Sequence, residues 1–354
     1  RARTRAIGMR FLRSPVMHHI DVEPYSLAHF AAASTATQDE CFTPPNDRPS
    51  LELFNAHSVH VLRQTGLGQR HVRGEVERVT LAPERVTVGL RDGSHLTAKR
   101  AVLSIGEGDG LARPDWARVD DARLVHAFDD GLDVTEWEPG RVCVVGAGIT
   151  GGHMALHLAS HGHTVALVSR HLPRVKPYDS DPGWFGPKYM RAYDRLNSHE
   201  RRRWTIQHAR NRGSMTPGLY ASVREAIKRG EVQMHVSTVK AVDTSGAALG
   251  VTLGTGQAFE VDRVVCATGF PGRRPGGAMV EDLIQRHDLA VAPCGFPIVD
   301  AALRWHPRLH VTGALADLEI GPVARNIAGA RKAADRILRG GRELVGVSEP
   351  VKVS

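Results

Sequence analysis

Arg141-VCVVGAGITGGHMALHLASHGHTVALVSR-His171 is the stretch that decides the fold. Four apolar residues, Val142–Val145, read as a buried strand. They run into Gly146-Ala147-Gly148-Ile149-Thr150-Gly151. Small and apolar residues at Ala155, Leu156, Leu158 and Ala159 mark a helix, and Thr164–Val168 a second strand ending in Ser169-Arg170. A GxGxxG pattern means little alone. Set between a strand and a helix, with a second strand at this distance, it predicts a dinucleotide-binding βαβ unit. Gly146 permits the tight turn, Gly148 lets backbone approach a pyrophosphate, and Gly151 lets helix and strand close up. Ile149 and Thr150 open the helix, whose unpaired N–H groups suit phosphate.

The end of the second strand indicates which dinucleotide. An NAD site puts Asp or Glu there to accept from the ribose 2′-OH. Here Ser169-Arg170-His171 stand instead, with no carboxylate near. Arg170 can neutralise a 2′-phosphate and Ser169 can donate to it, so NADPH is expected over NADH. The bland alternative is that Arg170 is a solvated strand-end charge.

The chain has 354 residues, 42% of them hydrophobic and 24% charged, which suits a two-domain globular protein. No apolar run has the length of a membrane span and no signal peptide is legible, so no membrane partner is expected. The net charge of +8 is spread along the chain, with one tight cluster at Arg201-Arg202-Arg203 and Arg210 and Arg212 close by. No aromatic-interleaved basic stripe appears, so nucleic acid is not expected; attraction for anionic cofactors is. The four cysteines, Cys41, Cys143, Cys266 and Cys294, are far apart and form no CxxC. That argues against a dithiol–disulphide centre and a zinc site, and fits a cytoplasmic location. A homo-oligomer is left open.

The chain also repeats itself. His71-VRGEVERV…RVTVGLRDGSHLTAKRAVLSIG-Glu107 resembles Val232-QMHVSTVKAV…GVTLGTGQAFEVDRVVCATG-Phe270. Each copy reads as a β-meander with Gly-containing turns, then Arg-x-Val into a buried strand and a Gly. Two similarly built dinucleotide-binding units are expected. Gly146 precedes Gly269 by 269 − 146 = 123 residues, and the same offset from Gly106 gives 106 − 123 = −17. The first unit's glycine loop is therefore expected before residue 1, in keeping with a chain that opens on Arg1.

Two nested units, with Ala267-Thr268-Gly269-Phe270 and later Thr312-Gly313-Ala314-Leu315-Ala316…Gly321-Pro322, resemble the two-dinucleotide-binding-domain flavoproteins. More narrowly the chain is similar to the FAD- and NADPH-dependent N-hydroxylating monooxygenases, in the bacterial group related to urate hydroxylase and aspartate N-monooxygenase. Leu12-Arg13-Ser14-Pro15…His18-His19, Ser180–Lys188, Arg212-Gly213-Ser214 and Gly313–Lys332 carry that likeness. It implies an α/β fold of two nested Rossmann-like domains, glutathione-reductase-like, with the FAD domain cut short at its N-terminus. The expected division is residues 1–137 and 271–345 for FAD, 138–270 for NADPH, and a tail at 346–354, with fraying from Arg339-Gly340-Gly341. The FxGxxxHxxx(W/Y/F) stretch of Baeyer–Villiger relatives is altered at Phe128–Trp137, where the His is missing.

The resemblance also assigns residues. It aims the N-terminus of a helix starting at Pro322 at the flavin, with Gly313, Ala314 and Gly321 ahead of it. It places Arg13, Ser14 and His19 along the flavin ring; read from residues alone, His18-His19 is a surface or satisfied pair. Ser180–Lys188 reads as a loop, either closing over nicotinamide or substrate or packing through its aromatics. Arg212 meets the 2′-phosphate or a substrate carboxylate. Thr268 and Gly269 end the last strand of the NADPH unit. The implied activity is reduction of FAD by NADPH, then hydroxylation of a small amine or heterocycle by a C4a-hydroperoxide formed with O2. An FAD-linked reductase that does not oxygenate, and a non-catalytic nucleotide-binding protein, are the alternatives. No catalytic acid or base is legible.

Overall fold

The computed structural model describes residues 2–106 and 110–343; Arg1, Glu107 and the tail at 346–354 lie outside the described residues. Its centre is a five-stranded parallel sheet. Strands β1 (Val76–Leu81), β2 (Val86–Leu90) and β3 (His95–Ala98) form a meander followed by β4 (Ala101–Leu103). The main sheet then draws on β5 (Leu124–His126), β6 (Arg141–Val145), β7 (Thr164–Ser169), β8 (Val232–Val236) and a strand at Arg263–Cys266. A second meander, β9 (Val239–Asp243), β10 (Leu249–Leu253) and β11 (Ala258–Val261), leads into that last strand, β12. The order across the sheet is β8-β7-β6-β12-β5, all parallel.

The repeat read in the sequence is thus two antiparallel meanders, each feeding a buried parallel strand. β4 pairs with β14 (Leu309–Val311), itself paired with β13 (Arg304–His306), as β12 pairs with β6. Alternation along β6 explains the layers. Val142 and Val144 join a core with Met154 and Leu158, while Cys143 points into another with Leu249, Val251 and Leu253. Helices therefore cover one face of the sheet and the second meander the other, as a parallel sheet buried on both faces requires.

Helices α1 (Leu51–Gln64), α2 (Ile149–Ser160), α3 (Pro187–Asp194), α4 (His199–Ala209), α5 (Pro217–Lys228), α6 (Gly277–His287) and α7 (Ile327–Glu343) complete the frame. None of the described helices is long and apolar enough to cross a membrane.

Four expectations are corrected here. The terminal helix starts at Ile327, not Pro322, because Gly321–Asn326 forms tight turns (Ala324 N–H to Gly321 O, 3.0 Å; Asn326 N–H to Val323 O, 3.1 Å). Asn326 then caps it, accepting from Gly329 N–H at 2.8 Å. The same helix runs through Arg339-Gly340-Gly341 rather than fraying there. Ser180–Lys188 is not all loop: Pro182–Trp184 is a 3₁₀ turn capped by Asp181, and Pro187 opens α3. The central sheet does not begin at residue 138, since Leu124–His126 forms its edge beside β12.

Cys143 and Cys266, 123 residues apart in sequence, come to lie diagonally on adjacent strands, with Cys143 opposite Val264. Both are fully buried, and burial pushes the thiols up to about 12 and about 11. They behave as core residues rather than nucleophiles.

Burial also sets a pH dependence. His153 on α2 is depressed from 6.5 to about 4 by burial, with Arg48 adding to the effect. A histidine whose folded value is lowered stabilises the fold above its unfolded value, and that stability is lost as pH falls toward the folded value. Wild type is expected to lose about 2 kcal/mol of unfolding free energy from this group between pH 6.5 and 4. Urea titrations across that range should show a shallower acid slope for His153→Gln. Equal slopes in the two proteins would remove this assignment.

Candidate functional site

The cavity that matters opens at the carboxyl ends of the central strands. The chain leaves β6 in one direction toward β7 and β8, while β12 adds on the other side, so a topological switch point lies between β6 and β12. A cavity of about 720 Å³ sits there, lined by the ends of β6, β7 and β12 and by Ser237 and Thr238 beyond β8.

Its floor is the glycine turn. Gly146 has φ of +112°, and a Cβ there would stand 2.6 Å from Ala267 O. A Cβ on Gly151 would stand 1.6 Å from Gly146 O, so α2 can lie against β6 only without one. Gly148 is the N-cap of α2 and has no side chain to satisfy the first-turn N–H groups, which open onto the cavity. The wall is cationic: Arg170, Arg174, Arg210 and Arg212 line it with His171, and among the described lining residues there is no Asp or Glu. Unpaired N–H groups at a helix start plus four guanidiniums form a site for a polyanion. The residues fit a phosphorylated dinucleotide.

Thr268 and Gly269 line the same cavity, Thr268 Oγ1 donating to Ala112 O and Gly269 O accepting from Ala112 N–H at 2.9 Å. Of the residues chosen from sequence, Gly146, Gly148, Ile149, Thr150, Ser169, Arg170, Arg212, Thr268 and Gly269 all line this cavity, with Gly151 packed directly beneath.

A second cavity of about 460 Å³ adjoins it, lined by Arg13–His18, Asn46, Asp47, Tyr178, Asp179, Pro182, Phe185 and Asn326. Arg13 and Ser14 are there, as expected. Arg13 is pinned rather than free: its guanidinium donates to the carbonyls of Lys176 (2.7 Å), Pro177 (3.2 Å) and Tyr178 (2.7 Å) and to Ser214 Oγ (2.9 Å). It thereby ties the N-terminal segment to the 174–180 strap that separates the cavities. Burial drives the Arg13 guanidinium down to about 10.

His19 takes a different place from its neighbour. Its ring is fully buried, with Nε2 near Pro24 O (3.0 Å), Nδ1 accepting from Asp21 N–H (3.2 Å), and His57 packed edge-on. His18 lines the cavity instead, its ring 5.0 Å from Phe185. Burial lowers His18, which keeps it neutral near pH 7.

Gly313, Ala314, Gly321 and Pro322, also chosen from sequence, are not in the lining of either cavity. Gly313 opens a 3₁₀ turn, and Gly321 packs against Met190 and Tyr193. The helix they lead to does reach the cavity, through its cap Asn326.

Between them lies a cluster that the sequence reading missed. Asp317, 1% exposed, takes Arg325 at 2.5–3.1 Å and Arg203 at 3.2 Å. Arg203 stacks 3.9 Å over Phe296 and donates to Gly272 O. Burial raises the Asp317 carboxyl while Arg203 pulls it back. This triad joins α4, the segment after β12 and the turn before α7. Asn46, Asp47, Asp179 and Arg174 were also missed. Their only sequence signal was polarity within loops, which does not tell a cavity wall from a solvated surface.

A family model described as pyridine nucleotide-disulphide oxidoreductase matches residues 42–334. A search of curated proteins finds no match. Among solved structures, ornithine N-hydroxylase from Kutzneria sp. 744 is similar over 95% of this chain and 88% of its own, at 16% identity and a TM-score of 0.72. Ornithine hydroxylase from Pseudomonas aeruginosa covers 84% and 77%, at 18% identity and a TM-score of 0.67. L-lysine 6-monooxygenase from Pseudomonas syringae also covers 84% and 77%, at 19% identity and a TM-score of 0.63. At these identities the likeness is one of fold.

Proposed function

The chain belongs to the pyridine nucleotide-disulphide oxidoreductase family, and from that premise we propose that it is an NADPH-dependent flavin monooxygenase. The observation that carries the proposal is the pairing of two cavities: a cationic, carboxylate-free one over a helix N-terminus, and a less polar one beside it. The first is the NADPH site. The glycine turn and the start of α2 hold the pyrophosphate, and Arg170 with its neighbours holds the 2′-phosphate. The second takes the flavin ring and a small substrate. Arg13–His18 and Phe185 would flank the ring, and Asn326 with the start of α7 would face its polar edge.

FAD, when bound, supplies the two-electron and oxygen chemistry. The residues of this chain orient the nicotinamide toward the ring, keep water out with Pro15, Val16, Met17 and Phe185, and place a helix start where negative charge develops. The ring-side residues fit a flavin; among the described residues a dinucleotide GxGxxG cradle occurs only at Gly146–Gly151. We further assign residues from about 111 to 270 to the nucleotide unit, moved upstream because β5 belongs to its sheet, and the flanking segments to the flavin unit. The similar structures named above are hydroxylases of ornithine and a monooxygenase of lysine, amino acids with a side-chain amine, which supports a small amine here.

The cysteines weigh against the disulphide branch of the family. Cys143 and Cys266 are sealed in the sheet, Cys41 is buried under α1, and Cys294 stands apart from both cavities. The test is stoichiometry: NADPH and O2 consumed with hydroxylated product, over a panel of small amines and heterocycles. NADPH oxidation passing only to an added acceptor, with no oxygenated product, would establish a reductase instead. Arg170→Ala is expected to lower kcat/KM for NADPH about tenfold, the loss of one charged hydrogen bond, and to change that for NADH less than twofold. Equal losses for both would take the 2′-phosphate away from Arg170.

A further inference from the structure

The two cavities share one wall, and the wall contains an unsettled ion pair. Arg210 lines the nucleotide cavity, while Asp179 lines the second. Arg210 Nη2 stands 3.7 Å from Asp179 Oδ2, with side chains 17% and 40% exposed. The backbone beneath is firm: Ser180 and Arg210 form an antiparallel bridge, and Asn211 N–H donates to Asp179 O at 2.7 Å. Only the side chains have room to change partners.

The pair is loosely held, and its arginine keeps an unused donor at the cavity edge. Arg210 Nε is buried yet has no hydrogen-bond partner among the described residues. Asp317 and Arg325, by contrast, close a short pair at 1% and 4% exposure. Arg210 is therefore a half-used guanidinium at the edge of a cavity built for anions. A phosphate with two or three oxygens is a better partner than one carboxylate oxygen at 3.7 Å.

Resting on the NADPH reading above, we propose that Arg210 is shared: Asp179 holds it in the absence of nucleotide, and nucleotide phosphate draws it away. The released Asp179 carboxylate then faces the second cavity, where Arg13 keeps its charge but has its N–H groups taken by four neutral oxygens. Asp179 and Asp47 give that cavity a negative bias. It then takes a ligand bearing a cationic group, and takes it more tightly once nucleotide is bound. By linkage, a cation in the second cavity tightens nucleotide binding by the same factor.

The test is a double-mutant cycle on NADP+ affinity, read by calorimetry on Asp179→Asn, Arg210→Gln and the double variant, with thermal unfolding confirming that each is folded. Asp179→Asn frees Arg210 and is expected to tighten NADP+ three- to tenfold. Arg210→Gln is expected to weaken it about tenfold, and Asp179→Asn should then have no further effect. Arg210→Lys, should the Gln variant unfold, keeps the charge and retains part of the tightening. Repeating the cycle with NAD+ separates the phosphates: the same pattern places Arg210 on the pyrophosphate, and its loss places Arg210 on the 2′-phosphate. Equal tightening by Asp179→Asn with and without Arg210, or no tightening at all, overturns the shared-residue proposal alone. Failure of wild type to bind NADP+ overturns the NADPH reading and this proposal with it.

Discussion

Gly151→Ala is expected to abolish NADP+ binding and to lower the unfolding free energy by about 3 kcal/mol or more, the upper end of what overpacking costs. The added Cβ would sit 1.6 Å from Gly146 O, a backbone atom with nowhere to go, since Gly146 N–H is fixed to Val168 O at 2.8 Å. Either α2 lifts off β6 or the glycine turn opens. Both misplace the N–H groups that meet the phosphate. Gly148→Ala separates the two effects. Its Cβ would meet only Gly213, whose Cα is nearest at 3.2 Å, so the fold should survive while a methyl group intrudes where the pyrophosphate must lie. Thermal unfolding and NADP+ titration on both variants check the pair. A Gly151→Ala protein with wild-type stability and affinity would mean that α2 does not pack as described.

Asp317→Ala is the second large effect expected. It leaves Arg203 and Arg325 buried at 8% and 4% exposure without their carboxylate. Removing one partner of a buried ion cluster costs about 3–5 kcal/mol, mostly as the uncompensated charge. The damage should reach both cavities. Arg203 also holds Gly272 O beyond β12, and Arg325 fixes the turn from which Asn326 caps α7. Denaturant unfolding should show the loss, and Asp317→Asn should recover part of it by keeping acceptor geometry. A neutral Asp317→Ala would show that the cluster contributes little, as exposed ion pairs do.

These two residues also mark what a sequence shows and what it hides. Gly151 was legible because its role is local: six residues, Gly146–Gly151, flanked by a strand and a helix, determine the geometry whatever surrounds them. The meanders were legible for the same reason, since alternation and Gly-containing turns are near-neighbour signals. Asp317 was not, because its partners are 114 and 8 residues away and meet only through packing. The start of α7 was misjudged by five residues: Pro322 is a good first helical residue, but Gly321–Asn326 closes turns first and Asn326 caps. The His18-His19 pair shows the limit most plainly. Two identical side chains stand next to each other, and only tertiary packing decides that His18 lines a cavity while His19 is core. Arg210 and Asp179 are the same case across 31 residues, two loop charges whose meeting depends on the bridge between Ser180 and Arg210.

The central claim is that NADPH in the cationic cavity reduces a flavin held in the cavity beside it. Its most direct test is an anaerobic absorbance titration of the protein with FAD added and excess removed, followed by NADPH and then air. The account predicts a bound-flavin band that NADPH bleaches at about one equivalent, far faster than NADH does, and that returns on admitting air. A protein that retains no flavin, or whose flavin NADPH leaves oxidised, would contradict it.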